Sequence, residues 1–391
     1  MVKNRIADRI KLLYGESAFT IMAAANELEA QGRSVIHMEI GQPDFKTPRN
    51  IIEAAYKAMN DGHTGYTPTA GITPLREAIA RYCTEHKNVE TDMENVVVVP
   101  GGKPTIFFST QMLVQEGDEV IYPNPGFPTY ESVIRFAGGT PVPMPILEKN
   151  DFRVDIDRLK QDINDRTRMI ILNSPSNPTG GTLSAGDISA IADIVRGRGI
   201  YVLSDEIYDR IYFDEKPVSI ASMPGMRDYT IILDGFSKTY SMTGWRLGYA
   251  VMNRELAEYM SLLLVNSTSC SAAMTQWAAL EALKGPQDAV LEMVAAFRER
   301  VDYIVGALNS IDGISCVKPS GAFYAFPNIS SFGLSSDEFG NRLLKEGGVA
   351  ASSGMGFGEF GEGFIRMSCA NSMENLKIAV ERIDKFVKTL R

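Results

Sequence analysis

Short, continuously apolar segments alternate with amphipathic ones through the middle of the chain. The apolar segments lie at residues 96–99, 119–122, 168–172, 201–203 and 230–233, and amphipathic segments begin near residues 104, 127 and 183. Strands that are apolar on both faces and separated by helices are typical of a mostly parallel sheet with helices on each side. The pattern therefore predicts an α/β layered domain at the centre of the chain.

The pattern changes beyond about residue 285. A long charged helical segment is followed by strands near residues 314–317 and 323–326, a helix near 337–345, a strand at 364–368 and a closing helix from Glu374. We predict that residues 285–391 form a smaller α+β domain, which residues 1–47 complete. Residues 48–284 are predicted to form the large α/β domain, and no repeat or long linker separates the two.

Composition narrows the range of functions. The 391 residues are 45% hydrophobic and 22% charged, which is ordinary for a globular protein. A net charge of −9 leaves no basic excess for nucleic-acid phosphates, so we expect no nucleic-acid partner. The longest apolar runs fall far short of the roughly twenty residues that cross a bilayer, so no membrane helix is predicted. The N-terminal segment lacks the apolar core of an export signal, and we expect a cytoplasmic protein.

The cysteines and histidines are too scattered to indicate a metal centre. Cys83, Cys270, Cys316 and Cys369 form no CxxC pair, and the chain contains 3 histidines. Their spacing fits neither a zinc site nor a disulfide framework, and we interpret the cysteines as small buried hydrophobic residues.

Lys238 is the most informative position in the chain. It follows the apolar strand at 230–233 and Ser237, and Arg246 lies a short distance beyond it. This arrangement can present an amine to pyridoxal phosphate, a phosphorylated aldehyde, while the hydroxyl and the guanidinium group hold the phosphate. A solvated surface lysine after a strand is the competing interpretation, which this motif alone does not exclude.

Two loops that follow predicted strands offer further contacts. Gly101, Gly102 and Lys103 lie between a strand and a helical segment, where backbone N–H groups and the helix N-terminus can bind an anion. The amide of Asn177, after the strand at 168–172, could hydrogen-bond a ring oxygen. A tight turn explains the glycines about as well, and a plain loop explains an asparagine before proline.

Asp205 and Tyr208 come directly after the strand at 201–203. Ligands bind at the carboxyl ends of the strands in open α/β sheets. A carboxylate there can pair with the protonated pyridine nitrogen of the cofactor, and Tyr208 could hydrogen-bond its phenolic oxygen. Capping of a following helix is the alternative role for Asp205.

Phe127 and Arg366 each have a structural and a functional interpretation. Phe127 lies in a loop after a strand and could stack on the cofactor ring, although burial in the core is more usual for phenylalanine. Arg366 interrupts an apolar strand and needs an anionic partner. That partner is either a substrate α-carboxylate or a glutamate side chain.

A glycine pattern near the C-terminus is misleading. Gly356, Gly358 and Gly361 spell the GxGxxG fingerprint of dinucleotide-binding folds. They follow a very short strand and lead into another strand, so the required strand–turn–helix context is missing and we reject a nicotinamide site.

Taken together, these motifs resemble those of the class I aminotransferases of the aspartate aminotransferase type, which use pyridoxal 5′-phosphate. The resemblance covers nearly the whole chain, through residues 41–48, 66–76, 101–103, 173–180, 204–208, 237–249 and 366–368. It implies an α/β protein of the PLP-dependent transferase fold type I. Such a fold has a mostly parallel seven-stranded sheet between helices in the large domain, and a smaller α+β domain.

The resemblance also implies a role for each matching residue. Lys238 would be the Schiff-base lysine and would carry a proton between the substrate Cα and the cofactor C4′. Asp205 would pair with the pyridine nitrogen, and Asn177 and Tyr208 would bind the ring hydroxyl. Phe127 would stack on the ring face. The substrate carboxylate would contact Gly41, Asn177 and Arg366. The residues around the phosphate would be Gly101, Gly102, Lys103, Ser237 and Arg246. Tyr66 would reach into the site of a second subunit, which implies a homodimer.

Two positions depart from the family pattern. Phe127 stands where the best-known aspartate enzymes have tryptophan, and Gly235 stands where many relatives have a serine that contacts phosphate. The first departure weakens any assignment of the substrate, because this ring also borders the amino-acid pocket.

The expected reaction is a ping-pong transamination between an L-amino acid and a 2-oxo acid. In some relatives the lysine at position 103 also receives the distal carboxylate of the substrate, so we prefer an acidic donor, with 2-oxoglutarate as acceptor. The alternatives within the fold are an alanine, aromatic or broad-range aminotransferase and a β-lyase. A nicotinamide-dependent dehydrogenase would rest on the rejected glycine pattern, and a non-catalytic regulator would need a DNA-binding domain for which we expect no room.

Overall fold

The structure is a computed structural model that describes residues 6–390; residues 1–5 and 391 of the predicted small domain lie outside this range. The helices are α1 (Ser17–Ala30), α2 (Arg49–Asn60), α3 (Thr73–Lys87), α4 (Lys103–Leu113), α5 (Thr129–Phe136), α6 (Ile156–Asp162), α7 (Ala185–Val195), α8 (Arg254–Val265), α9 (Ala273–Lys284), α10 (Asp288–Asn309), α11 (Ser336–Arg342) and α12 (Met373–Lys388). The strands are β1 (Ile36–His37), β2 (Val96–Val99), β3 (Glu119–Asn124), β4 (Thr140–Pro145), β5 (Thr167–Asn173), β6 (Tyr201–Asp205), β7 (Thr230–Gly235), β8 (Gly248–Val251), β9 (Tyr324–Ala325), β10 (Val349–Ala350), β11 (Ser352–Ser353) and β12 (Ile365–Ser368).

Seven strands form the central sheet, in the order β2-β8-β7-β6-β5-β3-β4. β8 runs antiparallel to β2 and β7, whereas every other pair of neighbours is parallel. The predicted seven-stranded, mostly parallel sheet is therefore confirmed. All strands except β8 point their carboxyl ends toward the same edge, where β5 ends at Asn173, β6 at Asp205 and β7 at Gly235.

Helices cover both faces of this sheet. Successive valines of β2 enter different apolar clusters: Val96 and Val98 pack in a cluster with residues of α3 and α9. Val97 and Val99 pack in another, with residues of α4 and α8. A strand that packs against helices on both sides has no polar face, which explains the continuous apolar run in the sequence.

The edge strand β4 did not show this apolar run. Its sequence contains Pro141, Pro143 and Pro145, and it lies at one end of the sheet order. Proline lacks the N–H that a central strand needs on both sides, but an edge strand tolerates it. The position of the strand in the sheet therefore explains a composition that is unusual for a strand.

The remaining strands of the described chain form two smaller sheets. β9, β12 and β11 form an antiparallel sheet, and β1 pairs in parallel with β10. The pairing of Ile36 with Val349 thus joins the N-terminal segment to the C-terminal part of the chain. α10 and α12 contribute Phe297 and Ile383 to a buried apolar cluster that also contains Ile36.

The predicted strand at residues 314–317 is wrong. Only an isolated bridge between Ser315 and Asn328 forms there. The amide side chain of Asn309 satisfies the backbone of Cys316 instead, by accepting from its N–H at 2.8 Å and donating to its carbonyl at 3.0 Å. The Asn309 side chain thus makes the hydrogen bonds that a neighbouring strand would make to the backbone of Cys316.

Other predictions for this region agree with the structure. The predicted helix near 337–345 corresponds to α11, which continues as a π-helical turn over Leu343–Gly347. The misleading glycine pattern lies in two 3-10 turns, Gly354–Phe357 and Glu359–Gly361, between β11 and β12. Among residues 6–390, no helix combines the length and the apolar character needed to cross a membrane.

Candidate active site

A cavity of about 510 Å³ opens at the carboxyl edge of the central sheet. The side chains that line it come from strand ends, from the loop before α4 and from the small sheets. Its lining includes these residues predicted from the sequence: Gly41, Gly102, Lys103, Phe127, Asn177, Asp205, Tyr208, Ser237, Lys238, Arg246 and Arg366. Residues far apart in the chain therefore meet because parallel strands end at one edge of the sheet.

Lys238 lies in a turn directly after β7, with its amine in the cavity. Its Nζ donates a hydrogen bond to the carbonyl oxygen of Gly41 and lies 6.0 Å from the ring centroid of Tyr208. Burial, together with the positive charge of Arg366, lowers the pKa of Lys238 to about 8. A larger fraction of this amine is therefore neutral near pH 7 than for an ordinary lysine, as a nucleophile requires.

Asp205 ends β6 and is 5% exposed. Its carboxylate accepts a hydrogen bond from the Tyr130 hydroxyl at 2.7 Å and another from the backbone N–H of Ile207 at 3.3 Å. Burial raises the pKa of Asp205 to about 6, although both hydrogen bonds oppose the rise. A turn rather than a helix follows, so the helix-capping interpretation is wrong.

Two asparagines connect neighbouring loops at this edge. The side chain of Asn173, at the end of β5, donates to the carbonyl oxygen of Asp205 at 3.1 Å and accepts from the backbone N–H of Asn177 at 2.9 Å. The side-chain oxygen of Asn177 in turn accepts from Arg366 Nη1 at 3.1 Å. These bonds fix Asn177 beside the arginine.

Arg366 is a buried cation without a carboxylate partner. It is 4% exposed, and its guanidinium group lies 4.8 Å from the ring centroids of both Tyr324 and Phe357. Its Nη2 donates to the backbone carbonyl of Glu39, while its Nε has no hydrogen-bond partner within the described chain. None of the ion pairs among residues 6–390 involves it, so the structural salt bridge considered from the sequence is wrong.

Tyr208 and Tyr324 are joined through their hydroxyl groups, 2.7 Å apart. Tyr208 is 3% exposed and Tyr324 is 1% exposed. A Cβ atom at Gly41 would overlap the Tyr324 hydroxyl, so a glycine is required there for the ring to reach the cavity.

The loop before α4 lies against Arg246. Gly101 has a φ of +89°, which favours glycine, and a Cβ there would overlap the Arg246 guanidinium group. α4 begins at Lys103, so its N-terminal N–H groups are directed to the same place as Ser237 and Arg246. Backbone donors, a hydroxyl and a guanidinium group together suit a phosphate.

Phe127 and Lys103 are predicted residues that contact each other at the border of the cavity. Phe127 packs edge-on against Tyr130, with ring centroids 5.7 Å apart, and leaves part of its ring in the cavity lining. Lys103 Nζ lies 5.4 Å from the Phe127 ring centroid and forms an ion pair with Glu16.

Two predicted residues, Gly101 and Tyr66, are absent from the cavity lining; Gly101 lies behind it against Arg246, whereas Tyr66 is on the surface. Tyr66 is 93% exposed and lies outside the lining.

Sequence reasoning missed several residues of the site. Asn173 could have been found by the rule that identified Asp205, because it too ends a central strand. No sequence signal identified Tyr130, Tyr324 or Glu16, whose places in the lining depend on how separate elements pack.

The comparisons with known proteins agree with this geometry. The aminotransferase class I and II family matches residues 33–383. The chain is 40% identical over 391 residues to an aspartate aminotransferase from Geobacillus stearothermophilus, covering 98% of this chain and 99% of the relative.

Solved structures show the same likeness. An aspartate aminotransferase from Thermus thermophilus with maleate superposes with a TM-score of 0.94 at 33% identity, covering 98% of this chain and 100% of that chain. An aromatic aminotransferase from Pyrococcus horikoshii superposes with a TM-score of 0.89 at 39% identity, covering 94% and 99%. The chain belongs to the class I and II aminotransferases, and it is a transaminase that depends on pyridoxal 5′-phosphate.

Proposed function

We propose that the cavity around Lys238 transfers the amino group of an acidic L-amino acid, aspartate in the first place, to a 2-oxo acid such as 2-oxoglutarate. The observation that carries the transfer from an amino acid is the buried Arg366, which has no carboxylate partner and shares a cavity with Lys238. A buried cation is costly unless an anion pairs with it, so a substrate carboxylate is the expected partner.

The residues of the cavity fit pyridoxal 5′-phosphate. Ser237, Arg246 and the backbone of Gly101, Gly102 and Lys103 would hold the phosphate, as the close approach of Arg246 to Gly101 suggests. Asp205 would hold the protonated pyridine nitrogen, because it is a buried carboxylate whose present partners are a hydroxyl and an N–H. Phe127 would cover the ring, and Asn177 and Tyr208 would bind the ring hydroxyl.

When bound, the cofactor supplies an electron sink that allows the Cα–H bond of the amino acid to break. Lys238 is the residue whose amine would hold the cofactor through its aldehyde group, and its Nζ would accept the proton that leaves the substrate Cα and release it again. The lowered pKa of about 8 suits a group that must both accept and release a proton. Arg366 and Gly41 hold the α-carboxylate, and this contact directs the Cα–H bond toward Lys238.

The preference for an acidic donor rests on Lys103 and on the relatives. Lys103 places an ammonium group in the cavity lining beside the Phe127 ring. The Geobacillus stearothermophilus relative and the Thermus thermophilus structure carry the name aspartate aminotransferase. Phe127 and Phe19 in the lining favour an aromatic or broad-range aminotransferase as the second candidate, in line with the Pyrococcus horikoshii enzyme.

We also propose a homodimer in which Tyr66 reaches the phosphate site of the partner. The exposed Tyr66 is held in place through its neighbour Thr67, whose Oγ1 accepts from Gln276 Nε2 at 2.9 Å. Tyr56 and Ile52 on α2 are 66% and 43% exposed, and a second copy of the chain would cover such apolar surface.

The division of the chain into domains remains our proposal, with a large domain at 48–284 and a small domain at 1–47 and 285–391. The pairing of β1 with β10 supports it, because this pairing joins the two parts of the small domain. The packing of Val35 and Ala25 against Leu344 and Ala350 supports it as well.

A panel of amino donors tests the substrate assignment. The purified holoenzyme is mixed with aspartate, glutamate, alanine or phenylalanine, and the absorbance of the bound cofactor follows the first half of the reaction. We expect kcat/KM for the acidic donors to exceed that for alanine by at least about tenfold, since a charge-assisted contact contributes roughly 1.5–3 kcal/mol. Equal values for acidic, aromatic and small donors would contradict the preference, whereas no reaction with any donor would contradict the assigned active site.

A further inference from the structure

Glu16 is a charged residue of the cavity to which neither the motifs nor the reaction assigns a role. It directly precedes α1, lines the cavity together with Ala18 and Phe19, and pairs with the ammonium group of Lys103. Although Glu16 occupies the N-cap position of α1, its side chain makes no capping hydrogen bond. The carboxylate is therefore directed to the cavity instead of serving the helix.

The ion pair joins two separate parts of the chain at one corner of the cavity. Glu16 comes from the N-terminal segment, and Lys103 begins α4 immediately after the phosphate loop. The side chain of Glu16 is 23% exposed and that of Lys103 is 51% exposed, so water partly screens the pair. Such pairs are weak, and another anion can displace one of their members.

The charge of Glu16 acts on the reacting centre as well. Burial and the charge of Arg366 lower the pKa of Lys238, and the negative charge of Glu16 opposes them. It likewise raises the pKa of Tyr324, where burial is the larger cause. Glu16 is therefore close enough to repel an anionic group of a bound substrate.

We propose that Glu16 is a specificity-determining residue that competes with the distal carboxylate of an acidic substrate for Lys103. This inference rests on the proposed function, in which Lys103 receives that carboxylate. With an uncharged donor, Glu16 neutralises Lys103, so the cavity accepts a neutral side chain without leaving a bare cation beside it. With an acidic donor, the substrate replaces Glu16 at Lys103, and the enzyme accepts both classes with a reduced preference for acids.

The variant Glu16→Gln tests this proposal with little risk to folding, because the substitution keeps the shape and removes no capping bond. We expect the ratio of kcat/KM for aspartate to kcat/KM for alanine to rise about two- to fivefold, the range that an exposed ion pair provides. Glu16→Asp places a favourable N-cap residue at the same position and withdraws the carboxylate from Lys103, so the ratio should rise there too.

Binding to the holoenzyme gives a second readout that does not depend on turnover. Calorimetry with succinate and with butyrate compares a dicarboxylate with a monocarboxylate of similar length. In Glu16→Gln the Kd of succinate should fall about two- to fivefold relative to the Kd of butyrate. The matched control is Glu27→Gln, which removes the same charge from an exposed position on α1 and should change neither ratio.

The outcomes separate this inference from the proposed function. If the parent enzyme transaminates amino acids and Glu16→Gln leaves both ratios unchanged, Glu16 does not compete for Lys103 and the inference is wrong. A fall in the ratio of the kcat/KM values, a rise in the Kd of succinate relative to the Kd of butyrate, or an equal change in Glu27→Gln would overturn it as well. If the parent enzyme transaminates no donor, the proposed function itself has failed.

Discussion

Two buried groups of charges lie at the ends of the same strands, and they are satisfied in opposite ways. The first is the Lys87 cluster, in which Lys87 meets Glu206, Asp209 and Asp234. The second is the cavity of Lys238, Asp205 and Arg366. Asp205 and Glu206 are adjacent in the sequence, yet each belongs to a different group.

Every member of the Lys87 cluster has an oppositely charged partner. Lys87 Nζ lies 2.9 Å from Glu206 Oε2 and 3.0 Å from Asp234 Oδ2, and it also pairs with Asp209. Hydroxyl groups occupy further oxygens, as Ser219 Oγ donates to Glu206 at 2.6 Å. Burial alone would lower the pKa of Lys87, but the three carboxylates raise it well above its usual value.

In the cavity, by contrast, Lys238, Asp205 and Arg366 form no ion pairs with one another. The amine of Lys238 and the guanidinium group of Arg366 donate to backbone carbonyls, and Asp205 accepts from a tyrosine hydroxyl. Burying unpaired charges costs free energy, which a fold offsets elsewhere. The comparison teaches that buried charges alone do not indicate a functional site. Buried charges that share one cavity and yet form no ion pair with one another do indicate one.

The largest effect should follow removal of Lys238. Lys238→Ala should lower turnover by about 10⁴-fold or more, because the variant loses both the group that bonds the cofactor and the group that moves the proton. Treatment with borohydride should attach the cofactor permanently to the parent protein and not to the variant. Lys57→Ala, at an exposed position, is the control and should behave like the parent. Full turnover and permanent attachment in Lys238→Ala would exclude this lysine as the reacting amine.

Removal of Lys87 should instead affect stability. Lys87→Met leaves the buried Glu206 and Asp234 and the half-buried Asp209 without this lysine, and we expect the free energy of unfolding to fall by about 3–5 kcal/mol in urea denaturation. Burial and Asp209 raise the pKa of Asp234 to about 7, so this carboxyl is ionised above pH 7 and becomes protonated below it.

The loss of stability should therefore be larger at pH 8 than at pH 6, because Asp234 without its cation can be protonated at the lower pH. The control is Lys57→Met, which breaks an exposed ion pair with Asp61 and should cost less than about 1 kcal/mol. If the two variants lose equal stability, the Lys87 cluster does not differ from a surface pair, and the contrast with the cavity disappears.

Substitution of Arg366, in contrast to substitution of Lys87, should affect activity and not stability. Arg366→Lys keeps the positive charge but loses the planar fork that binds a carboxylate through two bonds. We expect kcat/KM to fall about 10²-fold, mainly through a higher KM, while the free energy of unfolding changes by less than about 1 kcal/mol. Arg49→Lys, at an exposed position of α2, is the control. An unchanged KM together with a large loss of stability would make Arg366 a structural residue.

The sequence predicts the central sheet well because its strands are buried on both faces. β2 is four valines in succession, and all of them are fully buried. β4 escaped prediction because prolines are compatible with an edge strand but do not signal one. The segment at 314–317 is apolar and was predicted as a strand, but its backbone is bonded to the Asn309 side chain. Such a bond from a side chain to the backbone leaves no periodic pattern in the sequence.

The residues of the site likewise fall into those that the sequence predicts and those that it does not. Asp205 was predictable because a residue at a strand end lies at the ligand-binding edge, whatever the remaining packing. Tyr130 was not, because it lies on α5 and meets Asp205 only after that helix packs against the sheet. Glu16 likewise depends on how the N-terminal segment approaches α4. Topology is therefore predictable from the pattern, whereas contacts between separate elements are not.

The smallest of the four effects concerns Tyr130, which is buried and donates to Asp205 at 2.7 Å. Burial raises the pKa of Asp205 to about 6, and the hydrogen bond from Tyr130 holds it below the value that burial alone would give. Tyr130→Phe removes the bond and keeps the ring, so the pKa should rise by about one further unit, the equivalent of 1.36 kcal/mol. If Asp205 must be ionised to hold the pyridine nitrogen, cofactor affinity falls as the pH drops through this pKa.

The measurement is the affinity of the protein without cofactor for pyridoxal 5′-phosphate between pH 5 and 8. The fall in affinity on acidification should be centred near pH 6 in the parent and about one unit higher in Tyr130→Phe, while the two proteins should agree near pH 8. Tyr259→Phe, at an exposed position of α8, corrects for the loss of a phenol elsewhere. Because the phosphate of the cofactor also titrates in this range, only the difference between variant and parent reports on Asp205. Identical profiles would show that Asp205 does not control cofactor binding through its charge, and the cavity would then lose one of the three charges that distinguish it from the Lys87 cluster.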